Sequence, residues 1–166
     1  MVSSTIPVIA LHVTLINPNL VAQRNDLLTT GIVYMPIGLA YFAASLGQQG
    51  IRYDVVDAFG ECPQQGRVTG NYLIRGLKTT EVVDRIPSTT DAVVIYAISL
   101  TFYKSLADIL VAVRRKFPNL PVIVMENTQA VTAFSLRRMC GELLSLGADY
   151  LLTGEAELRG VQLLRA

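Results

Sequence analysis

Ala92-Val93-Val94-Ile95-Tyr96-Ala97-Ile98-Ser99 is the stretch on which the fold turns. It carries no charge and no alternation of apolar with polar residues. A strand with one wet face alternates; a nearly continuous apolar run is what a strand covered on both faces requires, as in parallel sheets. The residues that follow agree. Phe102 to Phe117 reads as a helix, with Phe102, Leu106, Ile109, Leu110 and Val113 at 3.6-residue spacing and Arg114, Arg115 and Lys116 complementing the dipole in its last turn. Pro121 to Met125 is then a further strand. Strand, helix and strand at these lengths make a right-handed βαβ unit.

The same alternation extends both ways. Toward the C-terminus, a helix is expected from about Thr132 to Leu146. Its apolar face comprises Leu136, Met139, Cys140, Leu143 and Leu144, and Gly147 closes it. Asp149 to Thr153 is the next strand, and a last helix begins near Leu158. Toward the N-terminus, Thr79 or Thr80 caps a brief helix through Ile86. Ala58 to Lys78, rich in Gly, Gln and Pro, is read as an irregular excursion with a short extended piece at Tyr72-Leu73-Ile74. Tyr53 to Asp57 is a strand. Pro36 opens a helix whose inner face is Leu39, Phe42, Ala43 and Leu46, closed by Gly50. Asn19 to about Thr30 reads as a polar stretch, and Val8 to Ile16 as the first strand, ended by Asn17-Pro18.

Five strands alternating with helices imply a doubly wound parallel sheet of order 2-1-3-4-5. In such sheets ligands lie beyond the carboxyl ends of the strands, near the switch in strand order. That rule selects four segments: Asn17-Pro18, Ser99-Leu100-Thr101, Glu126-Asn127 and Gly154-Glu155. Each has a plain reading beside the functional one. Asn17-Pro18 is also chain punctuation, Ser99-Leu100-Thr101 an ordinary helix start, and Gly154-Glu155-Ala156-Glu157 a solvated one whose i, i+2 carboxylates do not face each other.

Composition narrows the function classes. The 166 residues suit one domain; 51% are hydrophobic and 16% charged, an apolar balance that suits two-sided burial and leaves room for a face meant for a ligand or partner. A net charge of +1 with scattered signs offers no basic stripe for nucleic acid. No window of 18 uninterrupted apolar residues predicts a membrane span, no signal peptide is recognisable, and Cys62 and Cys140 read as reduced thiols of a cytoplasmic protein. His12, the only histidine, lies within the first strand and reads as a buried or edge residue, so no protein-built metal site is expected. No Gly-x-Gly-x-x-Gly follows the first strand, and no phosphate-binding Gly-x-x-x-x-Gly-Lys is present. The clustered strand-end aspartates of a receiver domain are also missing.

Several stretches in order along the chain resemble the cobalamin-binding N-terminal domain of B12-dependent radical SAM proteins. They are Leu15-Ile16-Asn17-Pro18; Pro36-Ile37-Gly38-Leu39-Ala40 through Leu46, with Gly50 and Val55-Val56-Asp57-Ala58; Asp91 to Ile95; and Ala148-Asp149-Tyr150-Leu151-Leu152-Thr153-Gly154-Glu155-Ala156-Glu157. The resemblance implies a flavodoxin-like (Rossmann-like) domain over residues 1–154 that holds a corrinoid at the strand ends. Residues 155–166 would be the start of the linker or helix toward a radical SAM domain of the same parent chain, which would bind S-adenosylmethionine and a [4Fe–4S] cluster and methylate a small-molecule substrate. The implied cobalamin contacts are Asn17, Pro18, Met35, Ser99, Leu100, Thr101, Glu126, Asn127 and Gly154, with Ser99 or Thr101 bonding the nucleotide base. Catalysis would stay with the cofactor and the other domain. Two departures stand out: Glu126-Asn127 occupies positions usually Gly-Gly in the family, and the Asp-x-His-x-x-Gly motif that supplies an axial histidine elsewhere is missing. The first favours an alternative, a degenerate domain with a structural or protein-interaction role. A third reading, an independent enzyme using Glu126 or Glu155, lacks a second catalytic group.

Overall fold

The computed structural model describes residues 11–26, 30–126 and 136–166. Strands β1 (His12–Asn17), β3 (Arg52–Asp57), β6 (Ala92–Ala97), β7 (Val122–Glu126) and β8 (Tyr150–Leu152) form one sheet in the order β3-β1-β6-β7-β8. Every pairing in it is parallel. Counting these five alone, the order is 2-1-3-4-5, and the fold is flavodoxin-like. β6 explains its own composition. Val93, Ile95 and Ala97 face a core shared with Leu106, Ile109, Leu110 and Val113 of helix α3 (Tyr103–Lys116). Val94 and Tyr96 face a second core with Leu39, Phe42 and Leu46 of helix α1 (Ile37–Gln48). With both faces covered, no position on the strand is left for a polar residue.

Helix α5 (Ala156–Arg165) is part of this second layer. Ala156 and Val161 are buried, and at Gly160 a Cβ would stand 2.6 Å from the Phe42 ring. The segment expected to begin a linker is therefore packed against α1, and its helix starts two residues before Leu158. Among the described residues no helix is long and apolar enough to cross a membrane.

Elsewhere the structure departs from the sequence reading. Leu20–Gln23, placed within a polar stretch, is strand β2; Gly66–Thr69 and Tyr72–Arg75, within the irregular excursion, are β4 and β5. These three make a separate antiparallel sheet of order β2-β5-β4. Helix α2 (Thr79–Asp84) is preceded by Lys78 rather than capped by a threonine, and the Glu81 carboxylate accepts the Lys78 backbone N–H at 2.6 Å. It stops short of Ile86 because Pro87 follows. In helix α4 (Leu136–Ser145) only Leu136 and Leu143 are buried; Cys140 and Leu144 are exposed, because the helix meets the sheet along a narrower stripe than its five-residue apolar face. Residues 8–10 of the expected first strand and 132–135 of the expected helix lie outside the described residues.

The two sheets are joined at Asn19, which is fully buried. Its Nδ2 donates to the Leu77 carbonyl at 2.8 Å and, at 3.4 and 3.5 Å, to those of Arg75 and Ala58. Its Oδ1 accepts from the Ser105 hydroxyl of α3, and that hydroxyl in turn accepts the Asn19 backbone N–H, both at 3.0 Å. Gly76 makes the crossing passable: at φ +115° its missing side chain leaves room for the Ala58 carbonyl, 2.1 Å from where a Cβ would stand. Arg67 of β4 adds bonds to the carbonyls of Gly76 and Leu77, and burial pulls its guanidinium below the usual value against the nearby Asp108 and Glu81, which hold it up.

At the amino edge, aspartates clip neighbouring strands. Asp91 donates its N–H to the His12 carbonyl and accepts the His12 N–H at Oδ2, each at 2.8 Å; Asp149 does the same with Val122. His12 itself is buried there, with Nε2 2.7 Å from Asp54 and Nδ1 2.9 Å from the Thr89 hydroxyl.

Asn19→Ala, which strands buried carbonyls and the Ser105 hydroxyl, and Gly76→Ala, which forces a side chain onto backbone, are each expected to cost on the order of 3 kcal/mol. Thermal melts read this as a fall in Tm of roughly 6–12 °C.

Candidate functional site at the carboxyl edge of the parallel sheet

Because the five strands run the same way, their ends fall along one edge. Asn17 pairs with Asp57, Ala97 with Glu126, and Met125 with Leu152. Asn17, Ser99, Glu126 and Gly154, far apart in sequence, thus follow the ends of neighbouring strands. Asn127 lies outside the described residues.

The side chains at this edge are in different states. The Asn17 amide donates to Asp57 Oδ1 at 2.9 Å, and the same oxygen accepts the Gly60 N–H at 2.8 Å, so the amide is fixed in orientation. Pro18 is buried beside Val33, Tyr34, Phe59 and Phe102, an apolar recess in which the rings of Tyr34 and Phe102 meet at 6.2 Å. Ser99 is buried, and its hydroxyl is spent locally, 3.0 Å from the Thr101 hydroxyl and 3.3 Å from the Thr101 N–H. Leu100 begins the 3₁₀ turn Leu100–Phe102 that leads into α3, and Thr101 is exposed on it.

Glu126 is not a free acid. It is 8% exposed, and its Oε2 accepts the N–H of Leu136, the first described residue of α4, at 2.9 Å. That bond commits one carboxylate oxygen to the backbone of α4. Glu155 is exposed. Glu157 is different: its Oε2 is buried with no hydrogen-bond partner, where Gly38, Tyr41, Met125, Glu126 and Gly154 line a recess of about 10 Å³, room for one water. Glu157 is thus partly enclosed, where a wholly solvated helix start is expected of Gly154-Glu155-Ala156-Glu157. Gly154, at φ +84°, makes the turn that brings it there.

The feature the sequence argument undervalued is apolar exposure. Ile32, Val33, Met35, Ile37 and Tyr41 are all exposed, Met35 by 73%. They run along the loop into α1 and its first turns, beside Pro18 through Val33 and beside Gly154 through Tyr41. α1 carries no charged residue from Ile37 to Gln48. Five large apolar side chains left in water within ten residues are what a surface that something covers would show.

Farther along the edge, Tyr103 of α3 donates its phenol to Glu142 of α4. Burial, then this bond and the carboxylate's charge, push the Tyr103 phenol up to about 12. Since its protonated form is favoured in the folded state, the contribution to stability is full below pH 10 and fades as pH rises toward 12.

No family model matches the chain, and no curated protein matches it. Among solved structures it is similar to the receiver domain of NtrX from Brucella abortus, at 10% identity and a TM-score of 0.45, covering 85% of this chain and 83% of that one. It is also similar to the GsuK RCK domain, at 13% identity and a TM-score of 0.49, covering 94% of this chain and 28% of that one. Both are distant likenesses of fold.

Glu126→Ala is expected to cost about 1–2 kcal/mol by stranding the Leu136 N–H, and Glu126→Gln much less, since an amide oxygen still accepts. Amide exchange at Leu136 checks this. In Glu142→Gln the Tyr103 phenol, followed by ultraviolet titration, is expected to ionise at lower pH than in the wild type while staying above its ordinary value, because burial, the largest cause, remains.

Proposed function

We propose that this chain is a cobalamin-binding module of a cytoplasmic B12-dependent radical SAM protein of the methyltransferase type. The observation that carries the reading is the exposed apolar lip of Ile32, Val33, Met35, Ile37 and Tyr41 at the strand-end edge, beside Asn17-Pro18. A corrin ring is broad and largely apolar on its faces, and a platform of this kind suits it better than it suits a phosphate or a dinucleotide. The family motifs in the sequence point the same way. In this reading the lip supports the ring, the oriented Asn17 amide and the Thr101 hydroxyl offer hydrogen bonds at its rim, and Gly154 keeps the far side of the edge low. Ser99 holds Thr101 in place. His12 belongs to the opposite edge, engaged with Asp54 and Thr89, so the chain brings no axial imidazole to the cofactor. When bound, cobalamin carries a methyl group. This chain's part is to hold and orient it toward a radical SAM domain of the same parent chain, whose substrate would be a small molecule.

One observation favours a second reading. Glu126 is buried and accepts the Leu136 N–H where the family usually has glycine. If that side chain closes the path of the nucleotide tail, the domain keeps the fold without the cofactor and serves as a structural or interaction module.

The purified chain is incubated with hydroxocobalamin, desalted, and its visible spectrum recorded. Retained corrinoid absorbance is expected, reduced about tenfold in affinity by Val33→Asp or Met35→Glu, which place charge under an apolar ring. A colourless wild-type fraction overturns the binding module in favour of the second reading.

A further inference from the structure

A cleft of about 420 Å³ lies between the small antiparallel sheet and the helices beside it, and none of the five lip residues lines it. One wall is Val21 and Gln23 of β2 and Tyr72 of β5, with Thr30; the other is Thr101, Tyr103 and Lys104 at the start of α3, with Met139 of α4. The volume is within the range of small-molecule sites. The parallel sheet does not need β2, β4 and β5 for closure; their addition builds the first wall.

We infer that this cleft is a second binding site, for an uncharged, planar heteroaromatic molecule of nucleoside size. Three observations carry the assignment. The first is shape and surface: each wall contributes one tyrosine ring, and Val21 and Met139 supply further apolar area, the surroundings in which a flat ring gains dispersion and stacking energy. The second is polarity. Gln23 is exposed and its amide offers both a donor and an acceptor, the combination that reads the edge of a heterocycle, and the Thr101 hydroxyl is exposed on the opposite wall. The third is charge. Lys104, the cation among these residues, is neutralised by Asp108, with Nζ 2.5 Å from both carboxylate oxygens, and the Tyr103 phenol is held by Glu142. Two carboxylates and one paired ammonium give an anion no reason to enter, so a phosphate or carboxylate group on the ligand is a burden here.

This assignment does not rest on the cobalamin reading, although Thr101 serves in both. The test titrates the full chain calorimetrically with adenosine, adenosine monophosphate and inorganic phosphate as probes. Adenosine is expected to saturate, the monophosphate to bind several-fold more weakly, and phosphate to give no heat of binding. Met139→Trp, which fills the cleft from its α4 wall, and Tyr72→Ala are each expected to lower adenosine affinity tenfold or more, with the thermal melt checking that both variants fold. Gln23→Leu, on an exposed strand end, gives a second route to the same loss without touching the core. Saturating hydroxocobalamin is expected to leave adenosine binding saturable, the two sites sharing only Thr101. The inference is overturned by the absence of saturable adenosine binding, by tighter binding of the monophosphate, by affinity undiminished in the folded variants, or by displacement with hydroxocobalamin, which would make the cleft part of the corrinoid site.

Discussion

The buried amide of Asn19 sits where the chain leaves the parallel sheet, and the rest of the carboxyl edge is built around satisfying it. Five polar groups meet there: the carbonyls of Ala58, Arg75 and Leu77, the Ser105 hydroxyl, and the residue's own backbone N–H. In a low-dielectric interior each would be costly alone, and together they admit only one arrangement of the segments that carry them. The exit of β3, the end of β5 and the flank of α3 are therefore fixed relative to the end of β1. Asn17 and Pro18, immediately upstream, inherit that precision. So does the recess of Phe59 and Phe102 against which the lip begins.

The parallel sheet was legible in the sequence because its signals are redundant. Ala92 to Ser99 shows two-sided burial, the Leu106-Ile109-Leu110-Val113 stripe shows a helix laid on it, and the order of strands follows from right-handed crossovers. The small sheet was not legible by the same means. Leu20–Gln23 is four residues long, too short to display a period, and begins two residues after Asn17-Pro18, which reads as an ending. Its partner Tyr72–Arg75 lies about fifty residues away, and nothing in local composition reports a pairing at that range. The β4–β5 hairpin did leave a trace: Gly70-Asn71 is a two-residue turn with Gly70 at φ +58°, the dipeptide type that joins tight hairpins.

For the site, strand-end logic names residues that the fold does gather along one edge, but it does not report the state of their side chains. Which residues stand at the ends of parallel strands follows from topology. Whether a side chain there is available depends on partners that only the folded chain supplies. Glu126 looked like a charge set at the edge, and it is committed to the start of α4. Ser99 looked like a ligand contact, and it is committed to Thr101. Glu157 looked solvated, and half of its carboxylate is shut in a recess. The lip is legible only in part: Met35 enters as a contact the family resemblance implies, Ile37 and Tyr41 fall off the inner face of Leu39, Phe42, Ala43 and Leu46, and nothing local marks Ile32 and Val33 as exposed.

The two edges of the parallel sheet are fastened differently. At the amino edge, Asp91 and Asp149 tie each incoming strand to its neighbour through main chain and carboxylate together, and His12 bridges Asp54 and Thr89 across three segments. The opposite edge ends in turns and loops. The sheet is thus clipped strand to strand at its amino edge and pinned at its carboxyl edge through Asn17 and Asn19, so any yielding to an incoming guest falls on the loops beyond them and leaves the strand order and register untouched.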